Sequence, residues 1–340
     1  MQTDPTLAGR LFPGRDVTLR RIVATLSEPE SGKPADNLLT NEDSFAVVTD
    51  QLDGNDFTPH VYLGVGPDQN LTYLAHARPA LGFILDFRRR NALWHLLHKA
   101  LITLAPDRAR FLELLTARHP LALPRDPTAA QLVTAFQAQP FDRAFLEQTT
   151  RQIREFLEPL GAVAVAEWAE LATIHARLAG PGLSARFLAL PMYPTLGRLM
   201  TATDRQGHPA HFLAHEPLYQ SLRVLETNDR VIPLVGDFAG DRAMPALGGW
   251  LRDRKLRVGM LYISDVEFFL LRGGKFPAYL NNLRALPWAE GAVVIRASTR
   301  EIPHPERRKG ESSTTILRPV AALFEATRAG RMPTLDELFK

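Results

Sequence analysis

His60-Val-Tyr-Leu-Gly-Val-Gly-Pro-Asp-Gln-Asn70 is an apolar run that ends in a Gly-x-Gly turn, and Asp86 stands twenty residues past Gly66 at the end of a second apolar run. Continuously apolar strands at 61–64 and 81–86, separated by a helix over 70–77 that Arg78-Pro79 closes, belong to a parallel sheet covered on both faces. A further helix over 91–104 presents Leu93, Trp94, Leu97, Ala100 and Leu101 on one broad face. The alternation then stops, and 112–115, 129–136, 141–157 and 163–178 all carry helical spacing. It resumes with strand 231–237, a helix over 243–253, and strands at 258–263 and 292–296.

The expected fold class is therefore α/β: a doubly wound, mostly parallel sheet of five strands with an all-helical insertion between the second and third strands. Four segments follow, namely an N-terminal lead-in at 1–40 with a short helix from residue 17, the first part of the core at 41–105, the insertion at 106–227, and the rest of the core at 228–340 with a C-terminal helix over 320–329. Thr40 or Asn41 reads as the N-cap of a helix over 42–52, with acids in its first turn. The insertion offers either a lid or a surface for a second copy of the chain.

Composition narrows the classes. The chain has 340 residues, 45% of them hydrophobic, and a formal charge of +3 from 40 basic and 37 acidic residues, so a sizeable core is expected and no face is charged enough to point to nucleic acid. With no cysteine, disulfides and thiolate metal sites are excluded. The polar opening and the lack of a bilayer-length apolar run lead to the expectation of a soluble, cytoplasmic protein with no membrane segment. His208, His211 and His215, and the pair His95 and His98, have metal-like spacings, but Pro209 and Pro217 break the first set and the second lacks a third ligand, so no metal is expected.

Gly64 and Gly66 let the backbone turn tightly beside a ligand, with Asp68 and Asn70 at the opening of the next helix. An ordinary strand-to-helix turn uses the same glycines. Asp86 can accept hydrogen bonds from a ribose diol; its other reading is an acid at a helix N-terminus or a partner for Arg88–Arg90. At the end of the next strand Asp237 can accept from an adenine amine while Phe238 lies on the base. The carboxyl ends of successive parallel strands converge on one crevice.

On these stations, over roughly 40–105 and 228–300, the chain resembles the class I S-adenosylmethionine-dependent methyltransferase superfamily, whose core is Rossmann-like. The resemblance implies that Gly64 and Gly66 cradle the methionine part, Asp86 the ribose and Asp237 the adenine of S-adenosylmethionine. Two positions depart from the pattern: Tyr62 stands where an acid leads the loop, and Asp68 where its third glycine would be. Leu-Gly-Val-Gly-Pro-Asp-Gln-Asn, Val-Gly-Asp-Phe-Ala-Gly and Tyr-Ile-Ser-Asp-Val-Glu also look like a set of uncharacterised bacterial proteins.

The resemblance places the transferred methyl beside Ser264, Asp265 and Glu267, after the fourth strand. These carboxylates either orient and deprotonate an acceptor, if burial raises a pKa toward neutrality, or cap the following helix. Phe268 and Phe269 read as core more readily than as a substrate wall. Asn41, Glu42 and Asp43 reach the same crevice or merely cap a helix, and Tyr193 and 201–204 are lid or substrate-loop candidates. Arg307-Arg308-Lys309-Gly310 is a loop beyond the last strand, solvated or steering a charged acceptor. The expected function is methyl transfer from S-adenosylmethionine to a small molecule, without metal. The alternatives are a degenerate, non-catalytic relative and a nicotinamide-dependent oxidoreductase.

Overall fold

The computed structural model describes residues 18–31, 37–120, 122–298 and 303–339. The part of the lead-in before Thr18, and most of the polar stretch after Ser31, lie outside the described residues. Six strands form one sheet in the order β3-β2-β1-β4-β5-β6, with β1 Val61–Gly64, β2 Leu81–Asp86, β3 Val231–Val235, β4 Val258–Ser264, β5 Trp288–Ser298 and β6 Thr314–Pro319. All neighbours pair in parallel except β5 and β6. β1, β2 and β3 are buried at every position, as a sheet with helices on both faces requires. The chain runs outward through β2 and β3, then crosses to the other side of β1 for β4 and β5. The order reverses between β1 and β4, and ligands of open α/β sheets bind at the carboxyl ends of the strands flanking such a reversal.

Helices join and cover the strands. Gln69–Ala77 connects β1 to β2 and stops at Arg78, whose left-handed backbone turns the chain toward Pro79. Arg89–Leu104 follows β2, and Ala243–Asp253 links β3 to β4. Between β2 and β3 the described residues hold no strand. The helices Arg108–Thr116, Arg143–Leu157, Trp168–Ala179 and Glu216–Thr227 pack against Arg89–Leu104, and Ala129–Gln137 packs on the 3-10 turn Gly182–Ser184 and the short helix Leu196–Met200. Leu132, Phe136, Ile153 and Ile174 of this region belong to the same continuous apolar core as Val61 and Leu85 of the sheet. Among the described residues no helix is long and apolar enough to cross a membrane.

Two expectations need correction. The sheet has a sixth strand, so Arg307–Gly310 lies between β5 and β6 and not beyond the last strand. The helix expected over 42–52 is reduced to a 3-10 turn, Phe45–Val48, and the short helix Thr49–Asp53. Its first residues are held elsewhere: Thr40 Oγ1 accepts from the Glu42 amide at 2.9 Å, and the Asp43 carboxylate accepts from the amides of Ser312 and Ser313 at 2.9 and 3.1 Å. These bonds draw 40–43 across the edge of the sheet toward β6.

The turn after β1 is closed by Asn70. Its buried side-chain amide donates to the carbonyls of Val65, Gly66 and Pro67, each at 2.9 Å, and its Oδ1 accepts from the Tyr62 hydroxyl at 2.7 Å. Replacing Asn70 by Ala removes the donor these three carbonyls share, with the Gly66 carbonyl keeping only its bond from His95, so Asn70→Ala should lose on the order of 2–4 kcal/mol of stability in urea unfolding. A loss below about 1 kcal/mol would mean that the turn holds without this clasp.

Candidate active site

A pocket of about 580 Å³ opens over the carboxyl end of β4, lined by Asn41, Glu42, Tyr193, Asp265, Phe268 and Phe269 among others. At its floor Glu42 is buried at the reversal point between β1 and β4. Both carboxylate oxygens accept from the Tyr262 hydroxyl of β4 at 3.0 Å, and Oε1 also accepts from the Ser264 hydroxyl. From the β1 side, the Gln69 side-chain amide donates to Thr40 Oγ1, tying the segment to the helix that follows the glycine turn.

Ser264 sits at a bend in the register between β4 and β5 with φ 54°, a left-handed backbone that costs a non-glycine residue about 1–3 kcal/mol. That strain aims its hydroxyl at Glu42, and more distantly at Asp265 Oδ1, 3.4 Å away. Asp265 stands at the N-cap of the helix Val266–Arg272, yet its side chain makes no capping bond and faces the pocket. Burial pushes the Glu42 carboxyl up to about 7, with the Asp265 charge adding to the rise and the bonds from Ser264, Tyr262 and Gln69 opposing it. Asp265 is raised as well, chiefly by burial, against bonds from its own backbone amide and from Ser264. An acid held near 7, as Glu42 is, can take a proton from a bound molecule at neutral pH.

The other expected site residues are distributed differently. Glu267 is not in the pocket: it is buried in a salt bridge with Arg296 and accepts from the Tyr279 hydroxyl at 2.9 Å, so its role is structural. Phe268 and Phe269, read as core, are pocket walls, and Phe269 is 60% exposed. Gly66 has φ +75° with no atom within 4 Å of where a Cβ would lie, whereas a Cβ on Gly64 would collide with Asn70 and the Tyr62 ring. Gly64 is thus a packing glycine and only Gly66 faces open space. Asn70 is fully engaged within the turn. Asp68 is buried with Oδ1 lacking a hydrogen-bond partner among the described residues, and burial pushes its carboxyl up to about 7.

Asp86 ends β2 as expected, but Arg88 holds it in a forked pair, Nε to Oδ1 at 2.8 Å and Nη2 to Oδ2 at 2.7 Å. Asp237 accepts from the Ala239 amide at 2.9 Å and pairs with Lys275 at 3.1 Å. Phe238 is buried, not offered as a platform. Glu28, from the segment after the first helix, spans the amides of Asp237 and Ala243 at 2.7 and 2.9 Å.

His95 and His98 bond to backbone carbonyls. His95 Nε2 donates to the Gly66 carbonyl at 2.9 Å, and His98 stacks on Trp94 and donates to its carbonyl at 2.9 Å. His215 is the N-cap of Glu216–Thr227, and His211 precedes that helix. Among the described residues, no group of three or more His, Cys, Asp or Glu side chains is placed to hold a metal ion.

Glu42, which the sequence leaves between a place in the crevice and a helix cap, lies in the crevice, and pattern reading gives it no role in the chemistry. Its local signal is the Asn-Glu-Asp stretch at 41–43, which does not open the helix it is expected to cap. Fold and site together define an α/β protein with an acid-floored pocket at the reversal point of its sheet. The chain belongs to a family described as a domain of unknown function (DUF7790), whose model matches residues 38–325 and so takes in the whole pocket. No curated protein matches it.

The raised acid has a consequence for stability. Folded, Glu42 keeps its proton up to about pH 7; unfolded, it releases it near its ordinary 4.5. Between those values the folded chain binds more protons than the unfolded one, so stability falls as pH rises. Asp68 and Glu226, both pushed up to about 7, act in the same direction. Glu42→Gln is neutral throughout, so from about pH 5 to about pH 8 it should lose on the order of 1–3 kcal/mol less than the wild type in urea unfolding. Parallel curves for the two proteins would show that Glu42 titrates normally.

Proposed function

We propose that the chain has a Rossmann-like core and works as an enzyme on a small molecule held in the pocket over β4, with Glu42 accepting the proton that the reacting group gives up. The observation that carries this reading is a buried carboxylate without a cationic partner among the described residues, raised to about 7, at the reversal point of a parallel sheet. Tyr262 and Ser264 hold both of its oxygens, so the acid is positioned before a substrate arrives. Asp265 keeps a second negative charge nearby and raises the proton affinity of Glu42. Phe268, Phe269 and Tyr193 supply apolar walls that shed water around the reacting group.

S-adenosylmethionine is the donor that the resemblance implies, and it would supply an activated methyl group. Gly66 has room for its methionine end. The adenosine stations do not fit as their side chains stand: Arg88 occupies both oxygens of Asp86, Lys275 and the Ala239 amide engage Asp237, and Phe238 is buried. What the chain's own residues supply is therefore confined to the acceptor and its proton. Hydride transfer with a nicotinamide dinucleotide is less favoured, because the antiparallel β6 keeps the second half of the sheet from repeating the β1-β2-β3 unit. The closed stations favour the degenerate relative as the second reading.

Calorimetry with S-adenosylhomocysteine separates these readings. On the methyl-transfer reading it binds the wild type, binds Arg88→Ala about tenfold tighter as Asp86 is released, and is lost in Asp86→Asn. Binding to all three proteins with equal affinity would dismiss Asp86 as a ribose acceptor. No binding to wild type or Arg88→Ala would dismiss the cofactor.

A further inference from the structure

A second cavity, of about 440 Å³, lies against the first. Three chain segments line both: Asn41 and Glu42 face one cavity and Asp43 the other, as do Tyr193 and Pro194, and Ser312 and Glu311. Between them the Asp43 carboxylate accepts from the amides of Ser312 and Ser313 and from their hydroxyls at 2.9 and 3.0 Å, so the partition is tied down. The cavities differ in charge. The first carries Glu42 and Asp265 with one cation, Arg272, which lies over the Phe268 ring, whereas the second carries three cations, Arg198, Arg308 and Lys309, beside Asp43 and Glu311.

These cations are differently held. Arg308 is fixed by Glu311 and by bonds to the carbonyls of Asp204 and Thr203 at 3.0 and 3.2 Å, which makes it part of the wall. Arg198 is 63% exposed, with the nearest oxygen of Asp43 at 4.0 Å, and Lys309 is exposed. The acids in this cavity are spoken for, Asp43 by the serines and Glu311 by Arg308. A positive basin next to an acid-floored pocket suits a ligand that is anionic at one end and proton-giving at the other.

We propose that the second cavity is the anion subsite of the acceptor, so that the substrate is a small molecule with an amine or hydroxyl at one end and a carboxylate or phosphate at the other. This rests on the reading of Glu42 as the proton acceptor. Arg198 and Lys309 receive the anion, and the partition at Asp43 sets the distance at which the reacting group meets Glu42. The loop that carries Lys309 thereby steers and seats the acceptor.

The test is calorimetric titration with ω-amino and ω-hydroxy carboxylates of increasing chain length, the matching phosphate monoesters, and the corresponding amines, alcohols and simple anions. The proteins are wild type, Arg198→Ala/Lys309→Ala and Glu42→Gln; the first pair of substitutions removes exposed side chains, and thermal unfolding checks the fold of each. One chain length should bind the wild type at least about tenfold more tightly than either of its halves, and Arg198→Ala/Lys309→Ala should lose that gain. The headgroup preferred at that length tells carboxylate from phosphate. Anions that bind the double variant as they bind the wild type, or two-ended probes no better than their halves at every length, would overturn the anion subsite. Should the double variant lose anion binding while Glu42→Gln leaves affinity and its pH dependence unchanged, the subsite stands and the proton-acceptor reading falls.

Discussion

Glu42 carries a carboxyl group out of water at the place where the sheet changes direction, with hydroxyl donors around it and, among the described residues, no cation paired with it. Burial of an unpaired carboxylate is costly, and the chain meets it with the Tyr262 and Ser264 hydroxyls and a raised pKa instead of a salt bridge. Two other buried acids of the region are treated in the opposite way. Asp86 is forked by Arg88, and Glu267 is paired with Arg296 inside the core. A paired acid is fixed in its charge; an unpaired one near neutrality can gain and lose a proton. That difference, more than position on the sheet, separates the chemical candidate from the structural ones.

Much of the architecture follows from short-range patterns. β1, β2 and β3 are apolar throughout because both faces are covered, and the intervening helices have the expected spacing and stops, such as Arg78 before Pro79. β6 escaped because Thr314-Thr-Ile-Leu-Arg-Pro319 is short, half polar and follows a basic loop, and only pairing with β5 makes it a strand. The helix over 42–52 failed for a related reason. Local sequence offers caps and acids at its start, but Glu42 and Asp43 bond to residues more than two hundred positions away, and those bonds outweigh a few tenths of a kcal/mol of helix propensity per residue.

The site was legible as a neighbourhood and less so as a set of roles. Asp265, Ser264, Tyr193 and the 41–43 triplet do share one place. Asp265 and Glu267, two positions apart at the start of one helix, point to opposite environments, the pocket and the core. Spacing alone cannot say which acid meets an arginine, since Arg296 arrives from β5. Asp86 shows the same limit, with ribose acceptor and arginine partner equally consistent with Asp-Phe-Arg. Asn70 was read as facing a ligand because it opens a helix after glycines; its amide instead turns back on three carbonyls of the loop.

The carboxyl edge of the sheet is consequently divided. On the side of β2 and β3 the chain closes its own crevice: Glu28 and Val235 bond through their backbones, Ser27 Oγ accepts from the Val235 amide, and the Ser31 amide donates to the Phe87 carbonyl. The Glu28 carboxylate then takes the amides of Asp237 and Ala243, the place an anionic ligand would take at the opening of the helix Ala243–Asp253. On the side of β4 the edge stays open, with an unpaired acid at its floor. A nucleotide reaching the closed half has to displace Glu28 and Arg88, both already satisfied, whereas no such bond across the pocket has to be broken for a small molecule to enter the open half. The asymmetry between the halves leaves the β4 side as the one where a small molecule meets an acid that no arginine or lysine holds among the described residues.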